Sequence, residues 1–418
     1  MMKNKRESSK PTQKGTMRLG EWFSFHFSPQ KTSKKKPANT AYHDGVPDFA
    51  NSVTCFTNVR YSLLYLDGSL VNYLKICIPI FFLATGTISF AMADIVHMNE
   101  KNTIWIVENG HWCIIYTAVL FWDAHMGWFS PIILEMNNSV KYGVYRYEKY
   151  EANNRMEFGK NNAWISKMNR VFGVIYIVAV IGTLVKSTIL EEQYPFKHLF
   201  NGWFPFEINS FMRLNIVRIY ELGCAWSAAS GAQTFFMTTM AYTYHVEAHL
   251  RLLMQKVAKV LDSQHPEKQI QECLAHHRAI LRLFNNLSAF FDPTVGFSTL
   301  TATFMVCTLL YLITNPDFDM NVIVTFSFLV APELGLLVSV RIRGQKLTDL
   351  SSEVNKTIYD LNWLEQDIKL QKDLLMWLRL TSKPLELKAF GYRNVSHAGV
   401  KEVLQTSYTF FNMLKAST

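Results

Sequence analysis

The sequence has few cysteines, and their positions exclude a fold built on disulfides. The six are Cys55, Cys77, Cys113, Cys224, Cys273 and Cys307. None falls in a segment that we predict below to lie outside the cell, and none forms the CxxC pair typical of structural zinc sites. Residues 1–40 are basic and polar, so they also lack the apolar core of a cleavable signal peptide.

Catalytic motifs are missing as well. The chain has no P-loop, no GxSxG and no pair of carboxylates at helical spacing in a pocket-like setting. His245 and His249 stand four residues apart, but a zinc protease places glutamate directly after the first histidine, whereas Glu247 falls on another helical face. We therefore predict no enzyme, no metal and no cofactor. We expect His245 and His249 at a wet helix end, and His276 and His277 in solvent.

Long apolar runs are what the sequence has in abundance. Hydrophobic residues make up 49% of the 418 residues, and they collect in segments of the roughly 20 residues that a helix needs to cross a bilayer. The predicted spans are 74–97, 111–134, 171–190, 217–244, 294–314, 321–340 and 395–414. This pattern predicts an all-α membrane protein with seven transmembrane helices.

Basic residues are distributed unevenly between these spans. The three connections predicted outside carry only Lys101, Lys197 and Arg213, whereas the N-terminal segment and the other connections each carry several lysines and arginines. Because loops rich in lysine and arginine stay in the cytoplasm, the N-terminus is predicted inside and the C-terminus outside. That orientation is opposite to a G-protein-coupled receptor. The basic N-terminal segment is expected to be a solvated cytoplasmic tail, or alternatively to be attracted to anionic membrane lipid through Lys34–Lys36. No nucleic-acid partner is predicted.

The last predicted span carries a polar stripe on an apolar helix. Thr406, Thr409, Met413 and Ala416 fall at i, i+3, i+7 and i+10 and share one helical face. Hydrocarbon offers no hydrogen-bond partners, so a polar stripe on a membrane helix usually faces other helices or water. The stripe therefore predicts a helix in contact with a bundle or a water-filled path.

The outer halves of the spans combine medium and large apolar side chains with a few hydroxyls. Such a surface suits a small volatile ligand, although ordinary helix packing explains the same residues one by one. The candidate ligand-binding residues are Trp112, Ile115, Tyr116, Thr183, Ser187, Tyr220, Cys224, Phe326 and Phe328. Arg218 and Glu221 in the fourth span are candidates for ligand binding or for pairing between helices. The aromatic connection over 190–209 is predicted to fold down as a lid.

The chain resembles the insect odorant receptors over most of its length after about residue 70. Besides the seven spans with the N-terminus inside, three stretches carry the resemblance. They are the outside loop with WFPFEIN, the region ECLAHHRAILRLFNNLSAFF before the fifth span, and the end, where SSEVNKTIYDLNW is followed by LLMWLRLTSKPLELKAFGYRNVSHAGVKEVLQTSYTFFNML.

The resemblance implies a function and an assembly. Members of the family are ligand-gated cation channels, built as tetramers with a shared co-receptor subunit. A pore lined by the last helix, with Met413 at its hydrophobic constriction, is thereby implied, as are an odorant pocket in the outer half of each bundle and a cytoplasmic anchor domain. The fourth connection is shorter than that of the co-receptor, so a ligand-tuned subunit in the dendrite membrane of an olfactory sensory neuron is expected.

Six divisions of the chain follow from this interpretation. They are a basic cytoplasmic segment (1–73), spans one to four with the outer pocket (74–245), a cytoplasmic helical connection (246–293), spans five and six (294–340), cytoplasmic anchor helices (341–394), and the pore-lining span with a short outside tail (395–418). Two alternatives stay open. A gustatory-type receptor channel would end in a pattern resembling TYxxxxxQF, which is absent here, and a transporter would show internal repeats, which the sequence lacks.

Overall fold

Helices make up nearly all of the computed structural model. It describes residues 70–97, 103–129, 132–133, 135–136, 163–164, 167–168, 170–175, 177–178, 181–182, 199–200, 202–314 and 320–417. The long helices are α1 (Leu70–His97), α2 (Thr103–Trp128), α3 (Phe211–Ala258), α4 (Pro266–Thr314), α5 (Met320–Tyr359), α6 (Ile368–Thr381) and α7 (His397–Ser417). A single 3-10 turn, Trp363–Glu365, precedes α6, and a hairpin of β1 (Lys388–Ala389) and β2 (Arg393–Asn394) precedes α7.

Six of the predicted spans overlap α1 to α5 and α7, and the described parts of the third, 171–175, 177–178 and 181–182, are helical. Among the residues that the structure describes, Cys77–Val96 and Pro266–Thr314 are long and apolar enough to cross a membrane. Helices α3 and α4 have 48 and 49 residues, so at 1.5 Å per residue each is roughly twice as long as the hydrocarbon core is thick. They therefore continue well beyond the predicted spans.

Aromatic side chains pack α2 against α3 and α4. The rings of Trp122 in α2 and Phe235 in α3 stack with their centroids 4.8 Å apart. Phe121 in α2 stacks on Phe297 in α4 at 4.5 Å. Helix α2 is thus packed between α3 and α4, which places side chains from its two faces in different environments.

The same hydrophobic core continues between the C-terminal parts of α3 and α5, the N-terminal part of α4, and α6, and we call this part the second core. Helix α6 is amphipathic, and its buried side chains, Leu370, Leu374, Trp377 and Thr381, recur at the three- and four-residue spacing of one face. The amide of Asn355 in α5 donates to the Leu378 carbonyl at 3.0 Å and to the Thr381 hydroxyl at 2.7 Å. These bonds fix α6 against α5 and explain why the region between the last two spans is ordered helix.

The burial of four histidines in this second core corrects a sequence prediction. We expected His245, His249, His276 and His277 to be in solvent, but they are only 3%, 9%, 1% and 6% exposed. The prediction was wrong because α3 and α4 extend past the spans and are covered there by α5 and α6. We call these four residues the histidine cluster.

The hairpin fixes where α7 begins. Phe390 and Gly391 have φ angles of 55° and 75°, in the left-handed region that side chains other than glycine rarely adopt. The Gly391 N–H donates to Asp292 Oδ1 in α4 at 2.6 Å. The Phe390 ring lies on Gly296 of α4, where an added Cβ would be 2.7 Å from it. The hairpin is therefore docked on α4 immediately before α7.

Candidate functional site

The candidate ligand-binding residues that the structure describes fall into two groups, one on each side of α2. Trp112, Tyr116, Tyr220 and Cys224 lie between α1, α2 and α3. Ile115 packs on the other side against Met305, Val306 and Val330 of α4 and α5, and Phe326 lies near the outer end of α5 on that same side. Thr183 and Ser187 lie outside the described residues, as does the side chain of Phe328.

The first group is closely packed. The Tyr220 hydroxyl donates to Thr85 Oγ1 of α1 at 2.8 Å, and the Cys224 thiol donates to the Phe82 carbonyl at 3.3 Å. Gly86 of α1 lies against the Tyr116 ring, since an added Cβ would be 2.9 Å from two ring atoms. The absence of a side chain at Gly86 is what lets the aromatic ring of Tyr116 approach α1.

The described part of the aromatic connection folds onto this group. The rings of Phe200 and Trp112 meet edge to face at 4.8 Å. The Trp203 N–H donates to the Ser89 carbonyl at 3.1 Å, and the Ser89 hydroxyl donates to the Trp203 carbonyl at 2.8 Å. Glu221 accepts from the backbone N–H groups of Leu199 and Phe200 at 2.7 and 3.3 Å. The carboxylate that the sequence offered as a ligand candidate thus holds the lid in place.

The second group contains a histidine that the sequence analysis did not select. His111 of α2 is 1% exposed. Its Nδ1 lies 3.3 Å from the Thr308 hydroxyl of α4, and its ring meets Phe326 of α5 edge to face at 4.7 Å. Phe326 packs with Leu312, and Leu309 contacts both. An ionisable residue inside a predicted span was the signal that could have identified His111.

Three polar groups on this stretch of α2 are buried without a hydrogen-bond partner among the residues that the structure describes. They are the Asn109 amide, His111 Nε2 and the Tyr116 hydroxyl. Most buried polar atoms in proteins are hydrogen-bonded, and leaving one without a partner costs about 1–3 kcal/mol. Tyr116 lies on the side of α2 toward α1 and α3, whereas His111 lies on the side toward α4 and α5. Each side of α2 therefore has a polar group that a ligand with polar atoms would satisfy.

Helix α7 has one buried and one exposed face. Val403, Ser407 and Phe411 are buried, and the Ser407 hydroxyl lies 3.1 Å from the Thr303 carbonyl of α4. The predicted stripe is exposed at all four positions, Thr406, Thr409, Met413 and Ala416. The sequence analysis missed Glu402, which is also exposed and stands four residues before Thr406 on the same side of the helix.

A charged contact joins α3 to α5 below the predicted spans. Glu247 pairs with Arg343, with Lys346 at 2.8 Å and with Arg251 at 3.1 Å. The Arg343 guanidinium also lies over the Tyr244 ring, 3.5 Å from its centroid. Burial raises the pKa of Glu247, but Arg343 and Lys346 outweigh that effect and hold the pKa below its usual value. Glu247 therefore stays ionised between these helices.

Three residues of the histidine cluster form a hydrogen-bonded chain, and the fourth, His277, accepts a hydrogen bond from Trp377 at 3.2 Å. His249 Nε2 lies 2.9 Å from His245 Nε2, and His249 Nδ1 lies 3.1 Å from His276 Nε2. Burial lowers the pKa of His249 and of His277 to about 4 and that of His276 to about 2. Because His249 turns a different nitrogen to each neighbour, the donors do not converge on one point. No group of three or more metal-ligating side chains able to hold an ion occurs in the described part of the chain.

Comparison with known proteins gives one family. The family described as 7tm Odorant receptor matches residues 102–408. Among Drosophila melanogaster proteins, Odorant receptor 49a is 22% identical over 64% of this chain and 70% of its own length. Odorant receptor 85c is 28% identical over 45% of this chain and 49% of its own length, and Odorant receptor 85f is 26% identical over 41% and 43%. The matches thus span less than half of 85c and 85f.

Solved structures with the same fold are olfactory receptors of an insect. The olfactory receptor OR5 from Machilis hrabei in complex with eugenol superposes with a TM-score of 0.72, at 11% identity, over 84% of this chain and 91% of that one. The same receptor described without a ligand gives a TM-score of 0.70 at 12% identity. At this identity the likeness concerns the fold alone.

Proposed function

The chain belongs to the insect odorant receptor family, and on that premise we propose that it is a subunit of an odorant-gated cation channel that works with a co-receptor. Membership makes it a membrane receptor rather than an enzyme. The observation that carries the channel proposal is α7, whose Val403–Ser407–Phe411 face packs against the bundle while its Thr406–Thr409–Met413 face is exposed. The Thr409 hydroxyl donates to the Gln405 carbonyl of its own helix at 2.9 Å, and its oxygen stays free to accept a hydrogen bond from water or from a second subunit, which lipid does not offer.

The proposed pore is lined by Thr406, Thr409, Met413 and Ala416, with Met413 at the narrow point. Met413 is 63% exposed in the single chain, so a ring of such side chains can close an aqueous path by excluding water. The hydroxyls of Thr409 and Thr406, about one and two turns before Met413 along the helix, would offer oxygen atoms to a hydrated cation. Their order along α7 supports a pore that is polar toward the cytoplasm and apolar at the gate.

The proposed odorant-binding residues form two surfaces of α2 and its neighbours. Ile115 and Phe326 belong to the surface toward α4 and α5, and Trp112, Tyr116, Tyr220 and Cys224 belong to the surface under the lid. Thr183, Ser187 and Phe328 stay part of the proposal. Eugenol is the ligand of the OR5 complex with the same fold, which supports a small, mainly apolar volatile here. The ligand has to bind the open state better than the closed state in order to open the channel.

Helix α4 connects this site to α7. Met305 and Thr308 of α4 face the second ligand group, whereas Thr303 and Phe304, within five residues of them, face α7. The Phe304 ring stacks on Phe410 of α7 with centroids 6.4 Å apart. A ligand that moves α4 therefore moves a surface on which α7 rests, and we assign gating to this contact.

The proposed assembly is a hetero-tetramer with the co-receptor in the plasma membrane of the sensory dendrite. The chain crosses the membrane seven times with its N-terminus inside, and its cytoplasmic helices act as the anchor. Exposed apolar side chains on and beside α6, including Leu364, Ile368 and Leu375 at 71%, 67% and 58% exposure, support a subunit contact there. The divisions 1–73, 74–245, 246–293, 294–340, 341–394 and 395–418 stay proposals, since α3, α4 and α5 run continuously through three of these boundaries.

The test is expression with a co-receptor in a cell that has no odorant response of its own. We expect odorants from a chemically broad panel to evoke a cation current that requires both subunits. An N-terminal tag should stain only after permeabilisation. A tag that stains intact cells, or a surface-expressed pair that passes no odorant-evoked current, contradicts the proposal.

Met413→Ala tests the gate. Truncating an apolar constriction makes it easier to wet, so we expect a larger resting or odorant-evoked current than in the wild type. Met212→Ala is the matched control, because Met212 is a 76% exposed methionine at the start of α3, away from α7 and α6 in the chain. Equal currents in the two variants, at equal surface expression, would remove Met413 from the pore.

A further inference from the structure

His111 presents a buried nitrogen with no partner at the proposed odorant site. The imidazole lies between α2, α4 and α5, where Phe326 meets it edge to face and packs with Leu312, and Leu309 and Tyr311 pack against that pair. Charging it there without a counter-charge is expensive, so the ring is neutral. A neutral imidazole has one N–H donor and one bare acceptor nitrogen, and which is which decides what ligand it can bind.

The contact with Thr308 assigns the proton. The Thr308 hydroxyl donates to the Met305 carbonyl at 2.9 Å, which uses the one proton that a hydroxyl carries. Its oxygen is then an acceptor toward His111 Nδ1 at 3.3 Å. This distance is also closer to the range of N–H···O bonds than to the shorter range of O–H donors. The hydrogen-bond network therefore places the proton on Nδ1 and leaves Nε2 as a bare acceptor.

The bare nitrogen is unsatisfied in the folded chain. His111 is 1% exposed, and Nε2 has no hydrogen-bond partner among the residues that the structure describes. A ligand that donates a hydrogen bond would satisfy this acceptor.

We propose that His111 Nε2 accepts a hydrogen bond from a hydroxyl of the ligand, so that this subunit is tuned to volatile alcohols or phenols. The inference rests on the proposed function and names the ligand class of that site. The apolar body of the ligand lies against Phe326 and Leu309, and Met305 has the side-chain flexibility to make room. Ethers, esters, ketones and hydrocarbons of the same shape lack the donor.

The preference for hydroxyl compounds follows from the free-energy cost of leaving His111 Nε2 without a hydrogen bond when the ligand has no donor. A site that pairs with a hydroxyl rejects the analogue without it more strongly than it rejects a change of one methylene. For a single neutral hydrogen bond we expect about a tenfold difference in half-maximal concentration between an alcohol and its methyl ether.

The test uses matched ligand pairs on the full chain with its co-receptor. The probes are 1-octanol, 1-phenylethanol and 4-methylphenol, each against its methyl ether, and the first two also against octanal and acetophenone. We expect at least one hydroxyl compound to activate the wild type at about one tenth of the concentration that its ether needs. His111→Phe should remove that difference at unchanged surface labelling.

Thr308→Val separates a tautomer effect from a packing effect. Valine removes the acceptor that holds the proton on Nδ1, so the ring can present Nε2–H instead, and the carbonyl compound should gain potency relative to its alcohol. Thr314→Val is the control, since Thr314 is exposed and its hydroxyl donates to the Leu310 and Tyr311 carbonyls of its own helix. It should leave the order of ligands unchanged.

Three outcomes overturn the inference while the proposed function stands. They are equal potency of alcohols and ethers on the wild type, activation by other compounds with no response to any alcohol or phenol, and an alcohol preference that Thr308→Val leaves intact. A surface-expressed pair that no compound opens overturns the proposed function, and the inference with it.

Discussion

Replacing Glu247 by glutamine removes the charge that joins α3 to α5. The side chains of Glu247 and Arg343 are only 6% and 7% exposed, so the substitution leaves a buried guanidinium without a counter-charge. Breaking a buried pair from one side costs about 3–5 kcal/mol. The side chains of Arg251 and Lys346 are 39% and 42% exposed, so water screens their attraction to Glu247. Losing that attraction adds little to the destabilisation. The Tyr244 ring keeps part of its attraction for Arg343. We therefore expect the low end, about 3 kcal/mol.

Thermal unfolding in mild detergent measures this loss. With an unfolding entropy of about 2.1 cal/mol/K per residue, 3 kcal/mol corresponds to a fall in Tm of about 3–4 °C if the chain unfolds as one unit. The control is Glu267→Gln, because the Glu267–Lys369 pair is 59% and 71% exposed and such pairs contribute a few tenths of a kcal/mol at most. The double variant Glu247→Gln/Arg343→Met should recover most of the loss, since no charge then stays buried. Equal Tm shifts for Glu247→Gln and Glu267→Gln would refute the reasoning.

Two more predictions concern the helices around α7 and the second core. Gly399→Ala should lower the free energy of unfolding by about 1–3 kcal/mol and reduce the current, because the Arg341 guanidinium occupies the place of the new Cβ. Gly335→Ala is the control, since Gly335 has open space around it. It should be neutral or slightly stabilising in the same Tm and current measurements. The histidine cluster is neutral when folded but binds protons when unfolded, so acid favours unfolding: stability should fall as the pH drops below about 6.5, by about 1.4 kcal/mol per histidine at pH 5.5. His245→Gln/His249→Gln should flatten the pH dependence of Tm between pH 7.5 and 5.5, and an unchanged slope would contradict it.

The positions of the membrane-spanning helices could be predicted from the sequence, because a run of apolar residues marks where such a helix begins and ends. The prediction for 321–340 lies within α5, and that for 294–314 ends with α4 at Thr314. The exposed stripe on α7 was also predictable, since helical spacing alone decides which side chains share a face. Spacing within one helix is a local property and needs no knowledge of neighbours.

The packing partners of each helix could not be predicted in the same way. Trp112 and Ile115 stand three residues apart, yet Trp112 contacts Phe200 of the lid and Ile115 packs on Val330 of α5. Which side of α2 meets which helix depends on long-range packing that no spacing reports. The same limit applies to the histidine cluster, because His277 is covered by Trp377 of α6, a hundred residues further along the chain.

The most direct measurement of the central claim, that the stripe of α7 lines the ion path, is cysteine accessibility. Thr409 is exposed, whereas Ser407, two residues away, is fully buried against α4. In the channel assembled with its co-receptor, a charged, membrane-impermeant thiol reagent should change the current of Thr409→Cys and of Met413→Cys, faster when odorant is present, and leave Ser407→Cys unaffected. Equal modification at 407 and 409, or no effect of odorant on the rate at 413, would contradict a pore lined by this face.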